Sequence, residues 1–594
     1  MSGIVPTIPT EFQQYNSYVT DPAWQRKFSI VWASFTGFAI LLALPRFLRA
    51  VRRGQVSGTL FGISEDLGAK GYRPAVMEDR MPTPTRRWRL VNGVVRSAAA
   101  ALLWTIPKSE ISLGQILVIA GYLATILVCI IKDAPLVENP NRAGFLAIAQ
   151  LPVVFLFATK NSILSLLLGP GNGYEKLNYI HKWSGRGAFL GALIHGALWI
   201  RNHIEFDLPI LGQQKETSGV AAFALLCILV LTSLRPVRRY CYQVFFYVHI
   251  LSSISFFITL CYHTIYATPW IFPPLAFYGL DLLLRLLRYR IKDATVVPVS
   301  NDMTLINVND CDGGWTPGQH VRLRVFFSDR VFESHPLTIA CAPPSTSCLS
   351  TPGLILGARA VGDWSHALHA YARRGLERIA LSDQKSLSVP VQVMLDGPYG
   401  GCSVDLGAYE SALLVAGGSG VTFSLAVLDD IVGRCCRLGR RGGEKTRRIE
   451  FAWCVRSFGC IEWFAPQLIE VAKTCAGTSL DLHVSIFVTC LCNPEAVPDI
   501  PNSDVSIHRP AVHTLLQELV TPPSSTSSLS DEESSEKVDL KGKLNWVGLG
   551  GGVAVCAAGP ETMTREAQNA VARISATRGV QLGGVSLHTE LFAL

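Results

Sequence analysis

Apolar residues are not spread evenly along the 594-residue chain: nearly all the long apolar runs fall between residues 28 and 290. About 20 apolar residues in a helix cross the roughly 30 Å hydrocarbon core of a bilayer, where an open structure would leave its backbone unsatisfied. The pattern predicts seven such helices, near 28–48, 113–131, 145–168, 181–200, 219–234, 244–263 and 270–287, the third interrupted by Pro152 and Lys160. The first 25 residues lack the basic-then-apolar order of a secretory leader, so the first helix is expected to double as the targeting signal. From residue 293 the pattern changes to alternation, as in Thr304-Leu305-Ile306-Asn307-Val308 and His320-Val321-Arg322-Leu323-Arg324-Val325. Period two predicts half-buried antiparallel strands, and a small barrel fits 293–400. Beyond 400, continuous apolar runs at 412–416, 449–455, 482–489 and 553–558 alternate with helical stretches, which predicts a doubly wound parallel sheet. Its ligand is expected at the carboxyl ends of the strands.

Composition supports a chain divided between membrane and water: 49% of residues are hydrophobic and 16% charged, which excludes a disordered protein. Charge supplies a direction. Arg46, Arg49, Arg52, Arg53, Lys70, Arg73, Arg80, Arg86, Arg87, Arg89, Arg96 and Lys108 crowd the segment between the first two helices. Basic residues also collect at Lys176 and Lys182, at Arg235, Arg238 and Arg239, and at Arg285, Arg288, Arg290 and Lys292. Short basic loops stay on the cytoplasmic side, so the amino terminus is expected outside and the soluble half in the cytosol. These loops account for the net charge of +8, leaving no call for a nucleic-acid partner. None of the 16 cysteines falls in a predicted outer loop, which argues against structural disulfides. Cys435 with Cys436, and Cys490 with Cys492, lack the second pair a zinc site needs.

Four histidines lie inside the predicted membrane helices. His181 and His195 are fourteen residues apart on the fourth helix, as are His249 and His263 on the sixth. Fourteen residues rise about 21 Å and stop some 40° short of four turns, so each pair shares a helix face. The two helices are separated by one crossing and run parallel, which levels His181 with His249 and His195 with His263. Two facing imidazoles at two depths suit two bis-histidine haem irons, whereas zinc would need a third and fourth ligand at each level. Arg186 and Arg201 lie near the two levels and are read either as propionate partners or as snorkelling cations. His366 and His369 are expected to be surface or core residues.

The soluble half adds His335-Pro336-Leu337-Thr338 on a strand, a turn at Gly362-Asp363-Trp364-Ser365, and Gly417-Gly418-Ser419-Gly420-Val421-Thr422 after the first parallel strand. Glycines there let backbone amides approach a diphosphate at a helix amino terminus. Residues 521–543, rich in serine and acidic residues, read as a disordered insertion.

The joint order of these marks resembles the fungal ferric reductase family, a branch of the superfamily that includes the NADPH oxidases. The marks are the two histidine spacings with His181-Lys182-Trp183-Ser184-Gly185-Arg186, then Pro317-Gly318-Gln319-His320, His335-Pro336-Leu337-Thr338, Asp396-Gly397-Pro398-Tyr399-Gly400, the glycine turn at 417–422, and Gly559-Pro560. The resemblance implies a transmembrane haem bundle followed by an antiparallel FAD barrel and an α/β NADPH domain. It implies electron flow from NADPH through FAD and two haem b groups to an extracytoplasmic ferric chelate, siderophore or cupric ion, in a plasma-membrane protein serving iron uptake. The expected organisation is 1–110 (first helix and basic segment), 111–290 (haem domain), 291–402 (FAD) and 403–594 (NADPH). By position, His335, Pro336, Leu337 and Thr338 would hold the flavin, with Gly362, Trp364 and Ser365 at its phosphates. Gly417, Gly418, Ser419, Gly420, Val421, Thr422, Arg456, Gly559 and Pro560 would hold NADPH, and Phe592, two residues from the end of the sequence, would cover the flavin ring.

The chain departs from the family pattern at Leu337, where phenylalanine is usual, and at Ala558, where cysteine is usual and the nearest is Cys556. Two other readings stand beside this one: a superoxide-forming NADPH oxidase, and a haem-binding sensor or scaffold without reductase activity. Outer loops lacking cysteine pairs, and Phe423 after Gly-Val-Thr, favour the metal reductases over the oxidases.

Overall fold

The structure, a computed structural model, describes residues 15–52, 54–65, 86–106, 111–328, 330–351, 353–381, 387–490, 497–521 and 550–592, without the side chains of 55, 65 and 86–90. The serine-rich insertion therefore lies outside the described residues, apart from Thr521, as do Lys70, Arg73, Arg80 and Lys108. The chain divides into two compact units: residues 1–46, 115–168 and 173–283, and residues 47–114, 169–172 and 284–594.

In chain order the helices begin with α1 (Ser17–Arg52). The short elements α2 (Gln55–Phe61), β1 (Ser64–Glu65) and α3 (Arg86–Ala101) belong to the second unit. The first unit resumes with α4 (Leu113–Ile131), α5 (Asn141–Ala149), α6 (Leu151–Leu156), α7 (Ile163–Leu168), α8 (Tyr174–Glu205), α9 (Gln214–Thr232), α10 (Arg235–Tyr240), α11 (Tyr242–His263) and α12 (Thr268–Arg288). Among the described residues, five helices are long and apolar enough to cross a membrane: Ser17–Arg52, Leu113–Ile131, Gln214–Thr232, Tyr242–His263 and Ile265–Arg288.

The other two predicted spans differ. α8 has 32 residues, ample length, but carries Glu175, Lys176, Lys182, Arg186, Arg201 and Glu205 and so falls short on composition. The single helix expected over 145–168 is instead three short ones. Pro152 has no N–H for a continuing helix and sits in the first turn of α6, where none is required. The gap before α7 is held by a buried carboxylate: Asp281 of α12 accepts from the Asn161 backbone N–H at 2.8 Å and from its side-chain amide at 2.9 Å. In a lipid-facing setting a broken helix is tolerated only where its freed backbone groups find such partners.

In the second unit, β2 (Arg290–Val299), β3 (Met303–Val308), β4 (Cys311–Gly313), β5 (Gln319–Val325), β6 (His335–Thr338), β7 (Leu354–Arg359) and β8 (Val389–Gly400) contain the alternation seen in the sequence. Six of them form an antiparallel sheet, ordered β6-β5-β8-β2-β3-β7. An Ile339–Leu356 bridge brings its two edges together into a near-closed barrel. Helix α13 (Asp363–Leu381) covers it, with Trp364, Leu368 and Ala372 buried in the same core as Val296, Ile306 and Leu323.

The doubly wound sheet is all parallel. Its elements are β9 (Ser411–Gly417), α14 (Val421–Val432), β10 (Arg448–Val455), α15 (Ala465–Cys475), β11 (Asp481–Val488), β12 (Ser503–Ser506), α16 (Val512–Val520), β13 (Val553–Gly559), α17 (Glu561–Arg578) and β14 (Val585–Leu591). The strand order is β12-β11-β10-β9-β13-β14. Ala412, Leu414 and Ala416 pack on one face of β9, and Leu413 and Val415 on the other, which is why the run is apolar without alternation. The order reverses direction between β9 and β13, the switch point where such sheets open a crevice.

The segment read as a basic loop is built into this unit. β1 pairs antiparallel with β4, and Ile63 is buried in the barrel core. Further on, Ala100 of α3 joins the core under α17, Arg96 lies 4.6 Å over the Tyr409 ring, and the Thr105 N–H donates to Asn569 at 2.9 Å. The described parts of this strap thus form a separate two-stranded sheet with β4 and set a helix on the flank of the parallel sheet.

Candidate functional site

The two histidine pairs meet as their spacing predicts. Ring centres of His181 and His249 are 6.4 Å apart, and those of His195 and His263 are 6.2 Å apart. Because both levels match at once, α8 and α11 run in the same direction. With a metal–imidazole bond of about 2.0–2.1 Å and about 1.1 Å from nitrogen to ring centre, two trans imidazoles on one metal put their ring centres roughly 6.3 Å apart. Each Nδ1 already has an outward partner: Val154 O at 2.9 Å for His181, Pro140 O at 3.1 Å for His195, Lys215 O at 2.8 Å for His263, and Ser233 Oγ at 3.3 Å for His249. A proton on Nδ1 leaves Nε2 as the ligating nitrogen, the usual arrangement of a metal-bound imidazole and its supporting shell.

Close backbone neighbours fix these rings further. A Cβ on Gly219 would lie 2.7 Å from the His263 ring, and one on Gly144 would lie 3.1 Å from that of His195. Among the described residues, no group of three or more His, Cys, Asp or Glu side chains is placed to hold a metal ion, so neither level offers the ligand set of a zinc site. The donor set and its spacing fit haem iron held on two axial imidazoles. Arg186 and Arg201 have local partners, the Trp183 ring at 4.6 Å and Glu205 at 3.0 Å.

In the soluble unit the predicted nucleotide residues converge at one end of the parallel sheet. Gly417 ends β9 and Gly418–Thr422 follow it, Arg456 follows β10, Gly559 ends β13 with Pro560 after it, and Phe592 follows β14 with its N–H on Gly559 O at 2.9 Å. Strand register sets Ala416 beside Ala558 and Gly559 beside Leu591, so these loops flank the switch-point crevice. Gly418 sits at φ +55°, a conformation that favours glycine, and its carbonyl accepts from Trp453 Nε1 at 3.1 Å. Gly420 has a packing constraint of its own. A Cβ there would stand 2.2 Å from Ala558 O, so its bareness lets two strand-end loops touch.

The flavin-strand residues are also brought together. His335 stacks on Trp364, ring centres 4.2 Å apart and 24° between planes. Burial holds the His335 imidazole below its ordinary value, an effect that Glu333 partly offsets. Leu337 and Thr338 are partly buried, and Pro336 is exposed. The Ser365 hydroxyl accepts the N–H groups of Val361 and Gly362, both at 3.0 Å, so it organises the turn that opens α13. His369 is a core residue bonded to Thr304 at 3.0 Å.

Sequence reasoning missed Arg359 at the end of β7. Its guanidinium lies 3.8 Å from where a Cβ on Gly418 would be, over the Trp463 ring and 3.5 Å from Asp302. Nothing local in the sequence marks it, because only the meeting of barrel and sheet brings it to the glycine turn. Cys556, the cysteine nearest Ala558, points the same way from β13 but sits deeper, 3.7 Å from the Cys402 sulfur. That contact and full burial push its thiol well above the ordinary range, so it is a packed rather than a reactive cysteine.

Apolar helices carrying paired histidines, joined to a barrel and a doubly wound sheet, define a membrane protein with an attached flavin–nucleotide module. Three family models match in succession: the ferric reductase like transmembrane component over residues 143–260, an FAD-binding domain over 288–403, and the ferric reductase NAD binding domain over 409–572. The chain belongs to the ferric reductase family. It is 25% identical over 392 residues to ferric reductase transmembrane component 3 of Saccharomyces cerevisiae, covering 62% of this chain and 48% of that protein. Ferric/cupric reductase transmembrane component 2 of the same yeast is 24% identical over 374 residues, covering 61% and 48%. The probable cell surface ferric reductase kap2 of Aspergillus oryzae is 26% identical over 380 residues, covering 59% and 47%. The chain spans about half the length of the curated relatives it matches.

Proposed function

We propose that this protein is an NADPH-dependent ferric-chelate reductase of the plasma membrane, with FAD and two b-type haems as cofactors. It takes electrons from cytosolic NADPH to a ferric chelate or siderophore on the outer side, in support of iron uptake. Cupric ion is a second acceptor of the same class, in keeping with the relative named as a ferric/cupric reductase. The observation that carries the reading is the pair of histidine levels, ring centres 6.4 and 6.2 Å apart, whose Nδ1 atoms have hydrogen-bond partners of their own and whose Nε2 atoms would hold the haem irons. Counting α8 and the broken stretch α5–α7 with the five apolar helices gives seven crossings. The basic loops then put the soluble unit in the cytosol and the amino terminus outside.

When bound, flavin and haem supply the change from a two-electron hydride donor to one-electron transfers that iron accepts. The chain's own residues orient these groups. His181, His195, His249 and His263 present neutral Nε2 atoms along one direction of the membrane. His335 and Trp364 form an aromatic wall beside the flavin strand, with Leu337 and Thr338 on the same strand. The turns at 417–422 and 559–560, together with Arg456, receive the dinucleotide, and Phe592, tethered to Gly559, stands at the crevice between them. The test is an absorption spectrum of the full-length membrane protein before NADPH, after NADPH, and after a ferric chelate is added last. Haem reduction followed by chelate-driven reoxidation is expected. Superoxide accounting for all the NADPH consumed, undiminished by chelate, would overturn the assignment of the acceptor.

A further inference from the structure

We infer that the buried Asp21–Arg142 ion pair is a positioning device through which α1 sets the outer axial ligand, His195. The inference rests on the two-haem reading above. Both charged side chains are fully buried, and Arg142 Nε bonds Asp21. The other guanidinium nitrogens donate to Tyr15 at 2.6 Å and to the carbonyls of Cys129 and Lys132, at the end of α4, at 3.2 and 3.3 Å. Tyr15 in turn donates to Asp21. One guanidinium therefore joins the start of α1, the end of α4 and the start of α5. Two further bonds run between α1 and α5: Asn141 donates to Ser17 at 3.1 Å, and Gln25 donates to the Phe145 carbonyl at 2.7 Å.

That same first turn of α5 is the mount of His195. Pro140, two residues before Arg142, accepts from the His195 Nδ1, and Gly144, two residues after it, lies against the imidazole. Bonds to Nδ1 fix the tautomer and plane of an axial histidine and tune its basicity, and with it the potential of the metal it holds. The inner histidine has a separate mount, with His181 Nδ1 on Val154 of α6.

The test is electron paramagnetic resonance and a redox titration of the full-length protein in lipid nanodiscs, with the outer signal assigned by its loss in His195→Ala. Asp21→Asn should shift the outer low-spin signal and its midpoint while leaving the inner one in place, and Asp21→Glu should return the outer signal towards wild type. Gln25→Ala, which removes one neutral bond, should shift the same signal by less; it decides the matter if Asp21→Asn does not fold. Two unshifted signals, or two that move together, would overturn the inference and leave the haem reading intact. A wild-type protein without bis-imidazole signals would instead remove the haem reading on which it stands.

Discussion

The two units hold their chemistry by opposite means. In the membrane unit the working atoms belong to side chains, and the backbone serves as their mount: carbonyls at Val154, Pro140 and Lys215 each take a histidine Nδ1. In the soluble unit the backbone itself lines the candidate crevice, and bare glycines let neighbouring loops close on each other, as Gly420 does on Ala558. The difference follows from the solvent. Inside a bilayer a buried imidazole N–H must find an acceptor, and these carbonyls supply one while holding the ring in place. At the ends of parallel strands, water is available and the limit is space. Substitutions should therefore fail differently in the two units, by loss or tilt of one ligand in the first and by collision in the second.

The largest effect is expected from His195→Ala, which removes an axial ligand without adding bulk. Haem content should fall from two to one per chain and chelate reduction should drop to background, while NADPH still reduces the flavin; unimpaired iron reduction would break the comparison. Gly420→Val comes next, because its Cβ would meet a backbone oxygen. Overpacking of this kind costs about 1–3 kcal/mol, seen as a lower melting temperature and a raised KM for NADPH, with the haem spectrum unchanged. Gly418→Ala sharpens the point. It has room, the nearest atom being Arg359 at 3.8 Å, and should lose only the roughly 1 kcal/mol of an unfavourable positive φ.

Gly219→Ala is the membrane counterpart. A methyl there presses on the His263 ring, and disturbed outer-shell support of a ligand lowers activity about 10-fold or more. The change should alter the outer haem spectrum, even though alanine favours the helix by about 1 kcal/mol. The smallest effect concerns His483, whose imidazole the Glu450 carboxylate raises above 6.5, with Asp504 adding to it. A raised histidine stabilises the fold fully below its unfolded value and loses that contribution as pH rises through the folded one. His483→Gln should lower the melting temperature at pH 6, by less than about 1 kcal/mol given the exposure of Asp504, and have little effect at pH 9.

The histidine levels were legible in the sequence because a helix converts a spacing of fourteen directly into a shared face. The two sheets were legible because alternation and continuous apolar runs report burial on one face or two. The strap, described over residues 55–65 and 86–105, was not. Its basic residues match those of a cytosolic loop, and its place depends on distant partners such as Asn569, Tyr409 and Cys311. The break of the third helix was half legible: Pro152 and Lys160 signalled an interruption, but the Asp281 carboxylate that stabilises it is 120 residues from Asn161. Asp21 and Arg142 are separated by a similar distance, so the support of His195 could not be read from either helix alone. The same holds for Gly420, whose constraint is set by a carbonyl on another strand.

The most direct test of the central claim is the haem stoichiometry and low-temperature paramagnetic resonance spectrum of the wild-type, full-length protein. The account predicts two haems per chain, both low-spin with two imidazole ligands, one lost in His181→Ala and the other in His195→Ala. A single haem, a high-spin five-coordinate spectrum, or two haems that survive both substitutions would contradict it.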